Sequence, residues 1–306
     1  MFKSKLSALT VGALLALGAA SSANALTLTA GNYKITLDNY DSGTLYNTPA
    51  RGSGATLICA TAAECDTAAA IKAPGAAGGN TDTMGIFSIA AIQNISTGQD
   101  QYVRGSTSTI GGVSFGPYLT GVFGNLTDHI VETVCGALTC STTALATGGT
   151  FSIFSNAANW DPTLGPAGAG VDLPALTYAG ISGGTLFLSG VFAAGGVFAG
   201  DLETSYQTTY NSNTIAGNGQ GYLDFTGGSA LEFFDTNSLT NVNGGKNDAF
   251  LTTAFDDANG EASDIGWTVK SVTQVSGSTV PEPSSLALVA LALLGAGSAA
   301  RRRSKV

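Results

Sequence analysis

Short segments in which apolar and polar residues alternate recur along this chain, and they constrain its fold more than any other feature. Tyr33, Ile35 and Leu37 alternate with polar neighbours, which is the two-residue period of a strand with one buried face. Similar short segments lie at residues 85–89, 185–188, 221–225, 231–234 and 267–272. Clusters of Gly, Asn, Asp and Ser separate them at intervals typical of turns. We therefore predict a strand at each of these positions.

The fold class follows from this pattern together with the glycine content. Between its two termini the chain shows no long apolar repeat of 3.6 residues, which a helical domain would require. Its 42 glycines among 306 residues are about twice the average usage, which fits frequent turns. We predict an all-β fold, namely an antiparallel β-sandwich or jelly-roll-like domain. The alternative is a glycine-rich β-solenoid, but the chain has no fixed repeat length to support it.

The amino terminus has the three parts of a secretory signal peptide. Lys3 and Lys5 give it a positive start, residues 6–20 are apolar, and Ala23-Asn24-Ala25 has the small side chains of a cleavage site. We predict a signal peptide over residues 1–25 and a new terminus at Leu26.

The carboxyl terminus contains a second signal of three consecutive parts: a proline-rich motif, an apolar run and a basic cluster. These are Val280-Pro281-Glu282-Pro283, residues 286–300 and Arg301-Arg302-Arg303. A helix over the apolar run would measure roughly 22 Å, which is shorter than the roughly 30 Å hydrocarbon core of a bilayer. The arginines would stay on the cytoplasmic side. We predict a short transmembrane helix that anchors the chain only marginally.

This order of parts resembles the PEP-CTERM sorting signal of Gram-negative bacteria that produce exopolysaccharide. The resemblance covers only residues 280–306. It implies that an exosortase-type enzyme cuts the chain near the Pro-Glu-Pro motif after transient anchoring in the inner membrane. It also implies a final place at the cell surface or in the extracellular matrix, with a part in exopolysaccharide, biofilm or floc formation.

The two signals divide the chain and alter its charge. The predicted segments are the signal peptide 1–25, a β-sandwich-like extracellular domain 26–270, a Ser/Thr linker 271–279 and the sorting signal 280–306. Removing both signals takes away six of the 12 basic residues but only one of the 21 acidic residues, which leaves a net charge of −14. Such a chain would repel phosphate backbones, so we expect no nucleic-acid partner.

Four cysteines occur as two close pairs, Cys59 with Cys65 and Cys135 with Cys140. An even number of cysteines in an exported chain indicates disulfides. Three connectivities can be drawn, and we favour the two local pairs. A zinc site is the rival hypothesis, although the spacings are wider than those of common zinc knuckles.

The acidic segment 256–264 is the best candidate for a metal site. Asp257, Asn259 and Glu261 offer alternating oxygen ligands that would suit calcium. Counted from Asp257, the sixth and twelfth positions are Ala262 and Thr268, so the segment does not have the EF-hand pattern. A polar hairpin loop is the simpler interpretation. We expect no other cofactor.

Residues suited to catalysis are sparse. His129 is the only histidine, which excludes a zinc site built from several imidazoles. Ser114 and Ser182 each lie in a Gly-x-Ser-x-Gly pattern, but no helical pattern follows either serine, as a nucleophile elbow requires. A carboxylate pair among Asp224, Glu232 and Asp235 could serve glycoside hydrolysis only at a suitable separation. We predict no catalytic residues and no enzyme activity.

The function that we predict is therefore that of an exported structural or adhesive protein of the cell surface or matrix. Extracellular polysaccharide is the expected partner besides the processing enzyme. The alternative is a carbohydrate-binding module that uses exposed aromatic residues such as Tyr206, Tyr210 and Tyr222. A less favoured alternative is an extracellular hydrolase.

Overall fold

The computed structural model describes residues 26–27, 31–43, 45–46, 54–71, 83–110, 112–165, 177–258 and 266–279. The predicted signal peptide and the predicted C-terminal transmembrane helix lie outside these ranges. Within the ranges, no helix combines the length and the apolar character needed to cross a bilayer.

Strands make up most of the described chain. In chain order they are β1 (Leu26–Thr27), β2 (Gly31–Gly43), β3 (Leu45–Tyr46), β4 (Gly54–Cys59), β5 (Ala69–Ile71), β6 (Thr83–Asn94), β7 (Asp100–Val103), β8 (Ser108–Ile110), β9 (Val113–Phe115), β10 (Tyr118–Cys135), β11 (Cys140–Asn156), β12 (Thr185–Phe192), β13 (Tyr206–Asn211), β14 (Ala216–Gly227), β15 (Leu239–Thr240), β16 (Lys246–Asn247), β17 (Ala249–Asp257) and β18 (Val269–Thr279). The described helices are α1 (Ala62–Ala68), α2 (Leu231–Phe234) and the 3₁₀ helix Pro162–Leu164.

Eight of these strands form one closed, barrel-like antiparallel sheet. Its order is β2, β6, β10, β11, β13, β14, β17 and β18, and β18 pairs again with β2. The strand β13 pairs with residues 141–146 of β11 and with residues 216–221 of β14. The strand β12 pairs with residues 150–155 of β11 and with residues 223–227 of β14. Strands β12 and β13 therefore lie between the same two neighbours and together fill one strand position of the closed sheet. The pairing of β2 with β18 closes the sheet and satisfies backbone groups that an open edge would leave unpaired.

The predicted all-β, antiparallel class is confirmed, and closure is the feature that distinguishes this fold from a sandwich of two separate sheets. Closure of the sheet depends on the two longest strands, β10 and β11, which have 18 and 17 residues. Each pairs with different neighbours along its length. Between Asp128 and Ile130 the register of β10 against β11 shifts, and such irregularities bend strands in the way that a closed sheet needs.

The predicted linker 271–279 is wrong, because these residues belong to β18. Along β18 the residues Val269, Ser271, Thr273 and Val275 are buried, whereas their neighbours are mostly exposed. This alternation is that of a strand, and the small hydroxyl side chains fit inside the sheet. The abundance of serine led us to expect a linker, although valine and threonine at alternate positions are typical of a strand.

The segment 231–234, predicted as a strand, is the helical turn α2. The amide of Asp235 donates to the carbonyl oxygen of Leu231 at 2.9 Å. This turn buries Phe233 and Phe234 side by side, which a strand with one buried face cannot do. The ring of Phe234 packs edge-on against Tyr33 and Phe225 within the main core.

Both predicted local disulfides are present in the structure. Cys59, at the end of β4, is bonded to Cys65 in α1, with their Cα atoms 4.9 Å apart. Cys135 and Cys140 lie opposite each other at the end of the β10–β11 hairpin, with Cα atoms 4.1 Å apart. All four cysteine residues are buried. The described chain contains no free cysteine.

Several glycines of the closed sheet lie directly opposite an aromatic residue on the neighbouring strand. A Cβ atom added at Gly121 would lie 2.2 Å from the ring of Phe87, and one added at Gly85 would lie 2.4 Å from the ring of Phe123. The same relation joins these further pairs: Gly190 with Phe151, Gly217 with Tyr210, Gly221 with Tyr206, and Gly277 with Tyr33. The glycines therefore provide the space that the interior aromatic side chains occupy.

Candidate functional site

The interior of the closed sheet changes from apolar to polar along a single strand. The inward residues Tyr33, Ile35 and Leu37 of β2 belong to the main apolar core. The next inward residues of the same strand are Asn39 and Asp41. Because side chains on one face of a strand recur every second residue, Asn39 and Asp41 lie on the same inner surface.

A cavity of about 140 Å³ lies at this inner surface and opens partly to solvent. Apolar and aromatic side chains line most of it, including Phe87, Phe123 and Phe255, while Asp41 contributes a carboxyl group. An engineered apolar cavity of similar size, about 150 Å³, accommodates one benzene molecule. The cavity therefore has room for a single-ring ligand.

A network of small polar side chains adjoins the cavity. The hydroxyl of Ser271 donates to Oδ1 of Asn39. The hydroxyl of Thr273 lies 3.1 Å from the same oxygen and 2.8 Å from the hydroxyl of Thr253. These bonds satisfy polar groups that would otherwise be buried without partners. They fix the position of Asn39 next to Asp41.

Asp41 is the cavity residue with unusual hydrogen bonding and an unusual pKa. Its Oδ1 is fully buried and has no hydrogen-bond partner. Burial raises the pKa of this carboxyl from 3.8 to about 7. Burial likewise raises the pKa of Tyr206, and the charge of Asp41 adds to that shift, which places the two groups near one another. Asp128 and Tyr210 are the other titratable side chains among the described residues that line the cavity.

Replacing Asp41 by Asn is expected to stabilise the protein at pH 8 by about 2–4 kcal/mol, because a pKa difference of about three units has this order of magnitude. The folded state holds the Asp41 proton between about pH 4 and pH 7, whereas the unfolded state has already released it. The free energy of unfolding therefore falls in the wild type as the pH rises through this window. Denaturant unfolding of both proteins at pH 5 and pH 8 measures the effect.

Asp256→Asn is the matched control for this substitution, since Asp256 is an exposed carboxylate on β17. It replaces a carboxylate outside the cavity by the same amide, so it shows whether a change in the pH dependence of unfolding is specific to Asp41. If Asp41→Asn and Asp256→Asn gave parallel stability profiles between pH 5 and pH 8, the unusual titration of Asp41 would be disproved.

The outer surface of the sheet carries a neutral polar face that crosses five strands. Its central row consists of paired residues on neighbouring strands: Gln207, Gln220, Thr252, Gln274 and Thr36. At the usual spacing between strands this row is roughly 19 Å long. Nε2 of Gln220 donates to Oε1 of Gln207 at 2.9 Å, so the amides form part of a ladder. We call this row and its neighbours Thr209, Asn218 and Ala254 the neutral face.

Charged and aromatic groups border the neutral face. Asp256 and Lys270 are paired across β17 and β18 at one side. At the other side the rings of Tyr222 and Phe250 pack together, with centroids 4.8 Å apart. The face thus offers amide and hydroxyl groups beside an aromatic pair, and none of its own residues carries a charge.

The carboxyl end of β18 leads directly into the sorting signal. Thr279 is the last described residue, and its hydroxyl accepts a hydrogen bond from the amide of Gly31 at 3.1 Å. A comparison with protein families finds the PEP-CTERM protein-sorting motif at residues 279–303. The chain therefore carries a PEP-CTERM sorting motif at its carboxyl end. No curated protein was found to match it.

This motif indicates an exported, membrane-transiting protein and implies sorting by an exosortase. The predicted motif residues Val280 to Pro283 and the arginines 301–303 fall inside the matched segment. They lie outside the described residues. The match begins at the residue where the closed sheet ends, so the folded domain and the sorting motif adjoin without a linker.

The three tyrosines predicted as exposed binding residues are divided between the two surfaces. Tyr206 and Tyr210 point inward and line the cavity, which corrects the prediction that they face solvent. The glycines opposite them, Gly221 and Gly217, make room for their rings on the inside. Tyr222 has intermediate exposure and lies beside the neutral face, so it alone of the three stays a candidate for stacking on a sugar.

The predicted calcium ligands are described only in part. Asp257 ends β17, whereas Asn259 and Glu261 lie outside the described residues. Within the described ranges, no group of three or more His, Cys, Asp or Glu side chains is arranged to hold a metal ion. The calcium hypothesis therefore stays a prediction.

The residues weighed for catalysis take part in local hydrogen bonds. Nε2 of His129 lies 2.9 Å from the hydroxyl of Thr204, which itself donates to Asp201 at 2.5 Å. Burial alone would raise the pKa of Asp201, but hydrogen bonds from Thr204 and the neighbouring amide lower it overall, as does the nearby His129. The hydroxyl of Ser182 donates to the carbonyl oxygen of Tyr178 at 2.9 Å within a turn.

The carboxylates considered for glycoside hydrolysis are also bonded to their surroundings. Oδ1 of Asp224 accepts from Nδ2 of Asn247 at 3.0 Å, and burial raises the pKa of Asp224. Asp235 accepts from the side chain of Asn237 at 2.8 Å. Sequence patterns missed the residue with the most unusual environment, Asp41. Its only signal was a carboxylate that continues the inward-facing series of β2.

Proposed function

We propose that this protein acts as a non-enzymatic structural or adhesive component of the cell surface or extracellular matrix, where it binds exopolysaccharide. The sorting motif at residues 279–303 supports delivery outside the inner membrane. The neutral face is the observation that carries the binding role. Its amide and hydroxyl groups can donate and accept hydrogen bonds with sugar hydroxyl groups.

The shape and charge of this face support a long, polar ligand. The central row extends across five strands, so an extended polysaccharide can contact several amides at once. Individual hydrogen bonds of this kind contribute only about 0.5–1.5 kcal/mol each, and repetition along a polymer therefore supplies the affinity. The aromatic pair Tyr222 and Phe250 adds an apolar contact for a sugar ring at the border.

Gln274→Glu is expected to weaken binding to purified host exopolysaccharide about five- to tenfold, because the substitution removes two amide donors and adds a charge. Gln274 is exposed in the central row. Co-sedimentation of the full chain with the polysaccharide measures the affinity. The matched control is Gln99→Glu in the exposed turn after β6, which should bind as the wild type does.

Equal binding by both variants would rule out the neutral face as the contact surface. Tyr222→Ala distinguishes a carbohydrate-binding module from a simple polar contact. A loss of binding in Tyr222→Ala that exceeds the loss in Gln274→Glu would favour a module built on aromatic stacking. New reducing ends in the polysaccharide during the incubation would instead show a hydrolase and overturn the non-enzymatic role.

A further inference from the structure

The cavity inside the closed sheet has the composition of a ligand site that is separate from the neutral face. Asp41 contributes to this cavity a buried carboxyl oxygen, Oδ1, that has no hydrogen-bond partner among the described residues. A buried acceptor without a partner costs about 1–3 kcal/mol, so a group that supplies a donor gains free energy on entering. This cost makes the cavity selective for molecules that carry a donor.

The rest of the lining defines the charge and shape of the ligand. None of the described residues that line the cavity is Lys, Arg or His, so the lining offers no positive group to Asp41. Next to Asp41 on β6 lies Gly85, and the ring of Phe123 covers this glycine. Aromatic rings near a carboxylate favour an organic cation, since the faces of the rings attract positive charge.

The net negative charge of the chain also favours a cationic ligand. The chain carries a formal charge of −9 at pH 7, and there is no Lys or Arg between Arg104 and Lys246. Such a negative field raises the local concentration of cations and disfavours anionic ligands. The cavity volume of about 140 Å³ limits the apolar part of the ligand to about one ring.

We propose that this cavity binds a small organic amine, a single apolar ring or short hydrocarbon body with one ammonium group that donates to Asp41. The ammonium group satisfies Oδ1, and the apolar body fills the space among Phe87, Phe123 and Phe255. This binding site is independent of the polysaccharide role and goes beyond it.

Three probes of similar size test the charge preference in the full wild-type chain: benzylamine, benzyl alcohol and benzoate. At pH 8 we expect calorimetry to give benzylamine at least tenfold tighter binding than benzyl alcohol, and no binding of benzoate. At pH 5 the advantage of benzylamine should disappear, because Asp41 is then protonated. Asp128, Tyr206 and Tyr210 also face the cavity, so the variant below assigns the effect.

Asp41→Asn should abolish the preference for benzylamine at pH 8 while benzyl alcohol binds as before. Asp256→Asn, which removes an exposed carboxylate outside the cavity, should leave all three affinities unchanged. Equal wild-type affinities for benzylamine and benzyl alcohol at pH 8, or no binding of either, would overturn the proposal. If Asp41→Asn fails to fold, the comparison of benzylamine with benzyl alcohol in the wild type at pH 8 and pH 5 still tests the proposal.

Discussion

A chain that ends after Lys270 will lose its cooperative unfolding transition, whereas a chain that ends after Thr279 will keep it. The nine residues between these ends form most of β18, which pairs with β17 on one side and with β2 on the other. Their removal opens the closed sheet and exposes two long strand edges. We expect this removal to cost more free energy of unfolding than the roughly 5–15 kcal/mol that typically stabilises a whole domain.

Circular dichroism during heating and resistance to protease measure this difference. The control is the chain that ends after Thr279, because Thr279 still bonds to the amide of Gly31 at 3.1 Å. A chain ending after Lys270 that still unfolds in one sharp transition would contradict the closed sheet. The expected result also restricts exosortase processing, since a cut before Thr279 would damage the folded domain.

The strands themselves were predictable from the sequence because their alternation is local. Tyr33, Ile35 and Leu37 show the inward face of β2 without any knowledge of the partner strand. The same rule predicts where Asn39 and Asp41 point. It does not predict that Oδ1 of Asp41 is buried, since a carboxylate in isolation is expected to reach solvent. Burial of this oxygen follows from the residues that close around it.

Closure of the sheet could not be predicted, because it depends on a pairing between distant parts of the chain. Tyr33 pairs with Gly277, and Gly31 pairs with Thr279. Neither strand carries a local signal for the other. The inward direction of Tyr206 depends likewise on Gly221 of the neighbouring strand, and the sequence alone does not give that register. The neutral face was missed for the same reason, since its amides come from three strands and meet only in the folded sheet.

Gly121→Val is expected to lower the free energy of unfolding by about 3 kcal/mol or more, the upper range for overpacking a core. Gly121 is buried in β10 between Phe87 and Ile153. An added Cβ would lie 2.2 Å from the ring of Phe87 and 2.6 Å from the carbonyl oxygen of Ser152. The ring of Phe87 borders the cavity and has some space to move, but the carbonyl oxygen of Ser152 is held by the backbone of the sheet, so this second clash persists. Thermal unfolding should show a melting temperature lower by about 6–12 °C.

Three further substitutions separate this packing effect from a general cost of losing glycine. Gly183→Ala is the control, since an added Cβ at Gly183 meets nothing within 4 Å, and its stability should stay within about 0.5 kcal/mol of the wild type. Phe87→Leu removes the ring atom that approaches Gly121. Combined with Gly121→Ala it should cost less than the two single changes together, because the two residues compete for the same space. Additive losses would show that the glycine and the ring are not coupled, and the glycine content of the sheet would then need another explanation.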